Sequence, residues 1–326
     1  MRPLVTGATG FIGYEVARQL AAAGTPSRFL VSRPERGRLL SGLDAELVLG
    51  DLTRPASLAR AVSGMDTVIH LGARATFEDI STLRPSIVDG TVALAESAAA
   101  AGVQTFVYAS SLLVYGSSPG SIGPDTPTGP RLDYGRAKVE AEVALASIAR
   151  RAAMKLAVLR LPHVYGARDL MFEQIRRGHL FLPGRGRNLY AHMHVSDAAR
   201  VMIAVADQGW TGTSPVADAL AVSWREFAGV IQNHYARFRT YWIPSWMALC
   251  ATAAASAALS WRRQPTIMTP GSVIGFNLNL PVEPGLVWRD LGGSPRYPTV
   301  HEGIPAALDE CVAFRWRHPI FDRQGW

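Results

Sequence analysis

The segment Gly7-Ala8-Thr9-Gly10-Phe11-Ile12-Gly13 follows an apolar, β-branched run at Leu4–Thr6 and leads straight into an alanine-rich helical stretch. A glycine string held between a strand and a helix is the context in which it signals a dinucleotide site. Gly7 permits the tight turn, Gly10 lets the backbone approach a pyrophosphate, and Gly13 allows close helix packing. The free N–H groups of the helix N-terminus then face the negative charge. Thr9, Phe11 and Ile12 belong to the same loop and are assigned to cofactor binding with the three glycines.

The pattern after this loop limits the fold further. Short β-branched runs at Leu4–Thr6, Arg28–Val31, Glu46–Leu49, Thr67–Leu71 and Thr105–Ala109 read as strands, and Gly13–Ala23, Ala56–Val62 and Val88–Ala101 read as helices. Gly24, Gly64 and Gly102 stand where C-terminal caps belong. This alternation predicts an α/β fold, a Rossmann-type doubly wound parallel sheet. All eight tryptophans lie beyond residue 200. We therefore expect a cofactor-binding domain over 1–165 and a smaller, mainly substrate-binding region over 166–326, with about 190–220 returning to the first. The Gly/Ser/Pro stretch from Gly116 to Pro130 reads as a surface loop.

The second strand ends in Ser32-Arg33, with Arg36 nearby, where an NAD-specific site would carry an acid for the ribose 2′-hydroxyl. An arginine there pairs with a 2′-phosphate, so NADP(H) is expected over NAD(H). Asp51-Leu52, after the third strand, is placed near the adenine, although Asp51 could equally cap the next helix.

Ser110-Ser111 ends a strand, and Tyr134-Gly135-Arg136-Ala137-Lys138 opens a helix. Tyr and Lys at i and i+4 share a face, and a nearby ammonium is expected to lower the phenol from its usual value of about 10. Lys138 is one of only two lysines, the other being Lys155. Ser111, Tyr134 and Lys138 are therefore the candidate catalytic residues, with Tyr134 as acid/base and hydride passing to or from a nicotinamide.

Together with Asp51-Leu52, His70-Leu71-Gly72-Ala73, Tyr108–Gly116 and Tyr134–Lys138, the glycine loop resembles the extended short-chain dehydrogenase/reductase family, of NAD-dependent epimerase/dehydratase type. Arg160-Leu161-Pro162-His163-Val164-Tyr165-Gly166 and His194–Ala199 resemble two later signatures of that family. The resemblance implies that Ser111 is the catalytic serine, that Tyr134 is the acid/base, and that Lys138 also binds the nicotinamide ribose. It assigns Leu71, Gly72, Ala73, Leu161, Pro162, His163 and Val164 to the cofactor site, and it makes a homodimer possible. Ile87 stands where the family usually has asparagine. Pro3 is also unusual for a central strand and fits best at its first residue.

Within that family, Leu112-Leu113 replaces the Asp-Glu pair of the dehydratases, so dehydration is not expected. Tyr241–Trp246 and Asp290–Pro295 resemble the 3β-hydroxysteroid dehydrogenase-like branch. Aromatic residues over the substrate favour an apolar ligand. The expectation is an oxidoreductase acting on a ketone or secondary alcohol of a largely apolar, sterol-like or natural-product substrate. One alternative is a sugar-nucleotide epimerase, for which Arg168, Arg185 and Arg187 could hold a diphosphate. A second is a catalytically weak NADP-binding regulatory protein, motivated by Ile87.

The net charge of +7 comes from scattered arginines, which argues against a nucleic-acid groove. Cys250 and Cys311 are too few for a disulfide framework and are expected to be reduced and packed. No signal peptide fits ahead of Leu4, and a cytoplasmic location is expected. His192 and His194 could share a strand face, but no third ligand is evident, so no metal is expected. Trp242–Trp261 approaches membrane length and is expected to be a buried or amphipathic helix, with a membrane-surface role as the lesser alternative, helped by Arg262 and Arg263.

Overall fold

The computed structural model describes residues 1–236, 238–261 and 269–317. The first six strands are β1 (Pro3–Thr6), β2 (Arg28–Val31), β3 (Glu46–Leu49), β4 (Thr67–His70), β5 (Thr105–Ser111) and β6 (Lys155–Leu161). Seven more follow: β7 (His163–Tyr165), β8 (His179–Pro183), β9 (Leu189–Tyr190), β10 (His192–His194), β11 (Gly212–Pro215), β12 (Val222–Ser223) and β13 (Arg239–Ile243). A seven-stranded sheet runs β11-β6-β5-β4-β1-β2-β3, and every pairing in it is parallel.

Strands buried on both faces should read as continuous apolar runs, and β1 and β4 are buried at every residue. Their side chains alternate between two cores. Val5, Ile69, Val107 and Leu159 pack with the helices Phe11–Ala22 and Val195–Gln208. Leu4, Val68, Phe106 and Val158 pack on the opposite face with Leu58–Val62, Gly90–Ala100 and Asp133–Arg151. Strand order reverses between β1 and β4, which opens a crevice at the carboxyl ends of the strands.

The elements differ from expectation mainly at their ends. The first helix starts at Phe11 rather than Gly13, with Gly10 as N-cap. A 3₁₀ turn at Pro55–Ser57 precedes Leu58–Val62, and a π turn at Pro85–Asp89 precedes Gly90–Ala100. Pro3 is the first residue of β1, where its missing N–H is tolerated. The stretch 116–130 is not simply a surface loop. Ile122 is fully buried and bridges Val282, while Ser118 N donates to Asn279 O.

A third core, around Tyr165, Phe172, Tyr190, Trp224, Phe227 and Phe238, holds the C-terminal region together. Three two-stranded sheets, β7/β10, β9/β12 and β8/β13, surround it among the described residues. Asp197, fully buried, accepts from the backbone N–H groups of Arg296 and Tyr297 at 2.7 and 2.8 Å and from Arg200 at 2.7 Å. The carboxylate therefore ties the late chain to the helix Val195–Gln208.

The apolar helix Ser245–Trp261 departs from the expectation of burial or amphipathicity. Of its residues 245–257, only Ala248 and Thr252 are buried, and Cys250 is exposed rather than packed. Arg262 and Arg263 lie outside the described residues.

The turn after β1 gives a sharp test. Gly7 has φ +74°, and a Cβ added at Gly13 would lie 2.0 Å from the Gly7 carbonyl oxygen. Gly13→Val must push the helix off the strand. The expected result is a loss of at least about 3 kcal/mol of stability by urea unfolding.

Candidate active site

The residues singled out from sequence gather along one edge of the sheet. Gly7 follows β1, Ser32 and Arg33 follow β2, Asp51 and Leu52 lie just after β3, and Leu71, Gly72 and Ala73 follow β4. Ser111 ends β5, and Leu161, paired with it, ends β6, so that Pro162, His163 and Val164 come next. Thr9, Phe11, Ile12, Leu52, Leu71, Gly72 and Ala73 are partly buried, as lining residues of a cleft should be. Gly10 caps the first helix without any side-chain bond to its N–H groups. These features fit a dinucleotide: the turn admits no Cβ at Gly13, and a bare helix N-terminus faces the crevice.

His70 ties this cradle to its neighbours. Its Nδ1 lies 2.6 Å from Thr6 Oγ1 and its Nε2 2.9 Å from Thr91 Oγ1, while Gly72 N donates to Thr6 Oγ1 at 3.0 Å. Burial, reinforced by the Lys138 charge, pushes the imidazole down to about 3, so it is neutral. A neutral imidazole donates from one ring nitrogen and accepts at the other, so each nitrogen has a threonine hydroxyl as its partner.

Around β2, Ser32, Arg33, Arg36 and Arg54 are exposed. Asp51 accepts from both the N–H and the hydroxyl of Thr53, at 2.9 and 2.8 Å, so one carboxylate oxygen serves the local turn. The Thr53 N–H bond chiefly holds this carboxyl below its ordinary value, with Arg54 and Arg33 adding to the effect. Arg54 was not singled out from sequence.

At the other end of the crevice, Tyr134 and Lys138 lie on the helix Asp133–Arg151. A Cβ at Gly135 would meet the Leu113 carbonyl oxygen at 2.4 Å, so glycine lets this helix press on the turn Leu112–Val114 that follows Ser111. Ser111 Oγ accepts from Leu113 N at 3.2 Å and caps that turn. Lys138 is almost fully buried, donates to Ala109 O at 2.7 Å, and lies 4.6 Å from the Tyr108 ring centroid and 5.8 Å from that of Tyr134.

The expected lowering of the Tyr134 phenol by this cation is not found. Burial pushes the phenol up to about 12 and the ammonium down to about 7. Desolvation wins because the ammonium is directed at a carbonyl and at Tyr108 rather than at Tyr134. Ile87, fully buried, packs with Leu83, Val88 and Ala137, with Tyr134 and Ala73 against the same cluster, so an apolar wall stands where the family has an amide.

Sequence reasoning missed Glu142. One turn beyond Lys138, its carboxylate accepts from the Ser110 hydroxyl and pairs with Arg160 at 2.7 Å, both partners being 10% exposed. Arg160 also donates to the Tyr115 hydroxyl at 2.8 Å. The Glu142 charge opposes the fall in the Lys138 value. The signal available was spacing: Tyr134, Lys138 and Glu142 recur every fourth residue on one helical face.

His163 takes its place in an aromatic cluster. Its Nδ1 lies 3.0 Å from Nδ1 of His192, and its ring packs on Trp224 and Phe227 at 4.9 and 5.5 Å. His194 instead caps the helix Val195–Gln208, accepting from Ser196 N, so the two histidines of β10 play separate parts.

The chain matches the NAD dependent epimerase/dehydratase family over residues 3–216. It belongs to that family, and it is an oxidoreductase of the extended short-chain dehydrogenase/reductase type built around a nicotinamide-cofactor site. It is 30% identical over 204 residues to a ceramide reductase of Caulobacter vibrioides, a match covering 61% of this chain and 59% of that protein. A dTDP-glucose 4,6-dehydratase of Streptomyces griseus is also 30% identical, over 232 residues, 64% of this chain and 70% of that protein. The structure of Thermus thermophilus UDP-glucose 4-epimerase in complex with NAD superposes with a TM-score of 0.78 at 22% identity, covering 96% of this chain and 99% of that one. That likeness concerns the fold.

Two outcomes test this electrostatic picture. Glu142→Gln leaves Arg160 without its counter-charge, and a loss of about 3–5 kcal/mol is expected in chemical unfolding. Second, below pH 6.5 the unfolded chain binds protons that folded His70 and His163, both held near 3 by burial, do not. These two imidazoles therefore lower stability as pH drops from 6.5 towards 3, by about 1.4 kcal/mol per pH unit for each, while the carboxyls of Asp169 and Asp218, pushed up by burial, act in the opposite sense. The fall in urea midpoint from pH 7 to pH 5 should accordingly be smaller in His70→Gln than in the wild type.

Proposed function

We propose that this protein is an NADP(H)-dependent oxidoreductase that reduces a ketone, or oxidises the corresponding secondary alcohol, on a largely apolar substrate. The observation that carries the reading is the setting of Tyr134. It shares a helix face with the buried Lys138, and Phe77 packs edge-on against its ring at 6.2 Å, so the candidate acid looks onto apolar side chains. An apolar lining with a few placed polar groups suits a largely apolar carbonyl substrate.

A bound nicotinamide supplies the hydride. Gly7, Gly10, Gly13 and the N-terminus of the first helix would hold the pyrophosphate, and Arg33 with Arg36 and Arg54 would face a 2′-phosphate. Ser111 would orient the substrate oxygen and Tyr134 would protonate it. Lys138, held on Ala109 O, would position the site and receive a ribose hydroxyl.

The surroundings of Tyr134 support an apolar substrate. Phe77 packs on its ring, and Tyr134, Phe77, Trp242 and Phe276 all border the one aromatic core that holds Tyr190 and Trp224. One of the arginines that could hold a diphosphate is engaged elsewhere: the Arg168 guanidinium stacks 3.8 Å over the Tyr14 ring. The ceramide reductase relative agrees with a lipid-like substrate, while the dehydratase relative points to the other branch.

The test is titration with NADPH and NADH, followed by absorbance of the reduced nicotinamide on addition of apolar ketones or of UDP- and dTDP-sugars. Net oxidation of NADPH by a ketone is expected. Tyr134→Phe should lower kcat by roughly 10²–10⁴-fold, and Arg33→Ala should weaken NADPH but not NADH by about tenfold. Conversion of a sugar nucleotide without net oxidation, with cofactor retained through purification, would replace this reading by that of an epimerase. Function that survives Tyr134→Phe would indicate a binding protein instead.

A further inference from the structure

The helix Ser245–Trp261 contains no charged residue and is apolar on all sides, yet it lies on the surface. Trp246 is 68% and Met247 46% exposed, and Cys250, Ala251, Ala253, Ala254 and Ala257 are exposed with them. On the paired strands β8 and β13, the second of which leads into the helix, the stacked rings of Phe181 and Tyr241, 5.1 Å apart, are about half exposed. Exposed large apolar side chains concentrated in this way mark an interaction site.

Charge identifies the partner. No Asp or Glu occurs between Glu173 and Asp197, or between Glu226 and Glu283, the two stretches that carry β8, β13 and this helix. The exposed arginines Arg185, Arg187 and Arg239 flank them. The 184–187 loop lies at the start of the helix: Gly184 N donates to Ile243 O, and a Cβ at Gly184 would be 3.2 Å from Ser245 Oγ.

We propose that this face binds an anionic lipid bilayer, with the helix lying in the interface, Trp246, Met247, Phe181 and Tyr241 entering the acyl boundary, and the arginines meeting lipid phosphates. An in-plane position is the one available, since no described helix is long and apolar enough to cross a membrane. The surface is also near the candidate site. The helix packs on Pro270–Phe276, in which Gly271 sits against Phe77, the ring that touches Tyr134. An apolar substrate dissolved in the bilayer would thus enter two layers from the phenol. The docking itself does not depend on the proposed reaction.

The test is co-sedimentation of the full chain with vesicles of phosphatidylcholine alone or mixed with phosphatidylglycerol, which needs neither cofactor nor substrate. Binding to the mixed vesicles, weakening as salt is raised, is expected. A polarity-sensitive fluorophore on the exposed Cys250, Cys311 being buried, should shift to the blue on vesicle addition. The double variant Trp246→Glu/Met247→Glu should bind more than about tenfold more weakly, with its NADPH titration and thermal unfolding unchanged. Protein left in the supernatant with both vesicle types, an unshifted fluorophore, or undiminished binding by the double variant overturns the proposal. A concentration-dependent dimer in light scattering that the double variant abolishes, without vesicle binding, also overturns it and assigns the face to a second copy of this chain.

Discussion

Glu142 brings a carboxylate to the junction of two strands and a helix, where burial obliges it to find partners. It finds Ser110 on β5 and Arg160 on β6, residues paired in register, and Arg160 carries the connection on to Tyr115. A buried ion pair adds little net stability over an apolar contact, but neither partner can be lost cheaply. Its structural effect is to fix the rotation of the helix Asp133–Arg151. With Glu142 turned onto the strands, Lys138 one turn earlier reaches Ala109 O, and Tyr134 a further turn back reaches the edge of the crevice. The geometry of the candidate acid thus depends on a group that need not touch a substrate.

The sheet carries out the corresponding task for the cofactor side. Because its strands are parallel, all their carboxyl ends fall on one side, and loops distant in sequence converge there. The Thr6–His70–Thr91 chain couples three of the participating elements through a neutral imidazole, so the glycine turn, the Leu71-Gly72 segment and the helix Gly90–Ala100 hold a common position.

Much of this was legible in the residues themselves. The glycine string, the β-branched runs and the Tyr-x-x-x-Lys spacing report local geometry, and local geometry survives folding. What was not legible depends on distance through space. Ser110 and Glu142 are 32 residues apart, so nothing local marks the pair. The Tyr134 phenol shifted opposite to expectation because spacing places a cation nearby but does not say how deeply both groups are buried, or that a carbonyl claims the ammonium. The helix at 245–261 fails for a related reason: an alanine-rich sequence reads the same whether another element covers it or not. Ile122 was hidden in a polar loop because its partner, Val282, arrives late in the chain.

That late arrival has a consequence for how the molecule is made. From β2 to β6, each strand pairs with one that precedes it in the chain, and these units can pair as soon as they emerge from a ribosome. The C-terminal region cannot: Asn279 donates to Ser118 O across 161 residues, and Arg296 to Asp197 across 99. Contacts of such long range carry a high loop-closure cost and form slowly. During synthesis the aromatic surface around Trp224 and Phe276 is therefore bare until the final segments are complete, and in that interval the nascent chain is most exposed to aggregation.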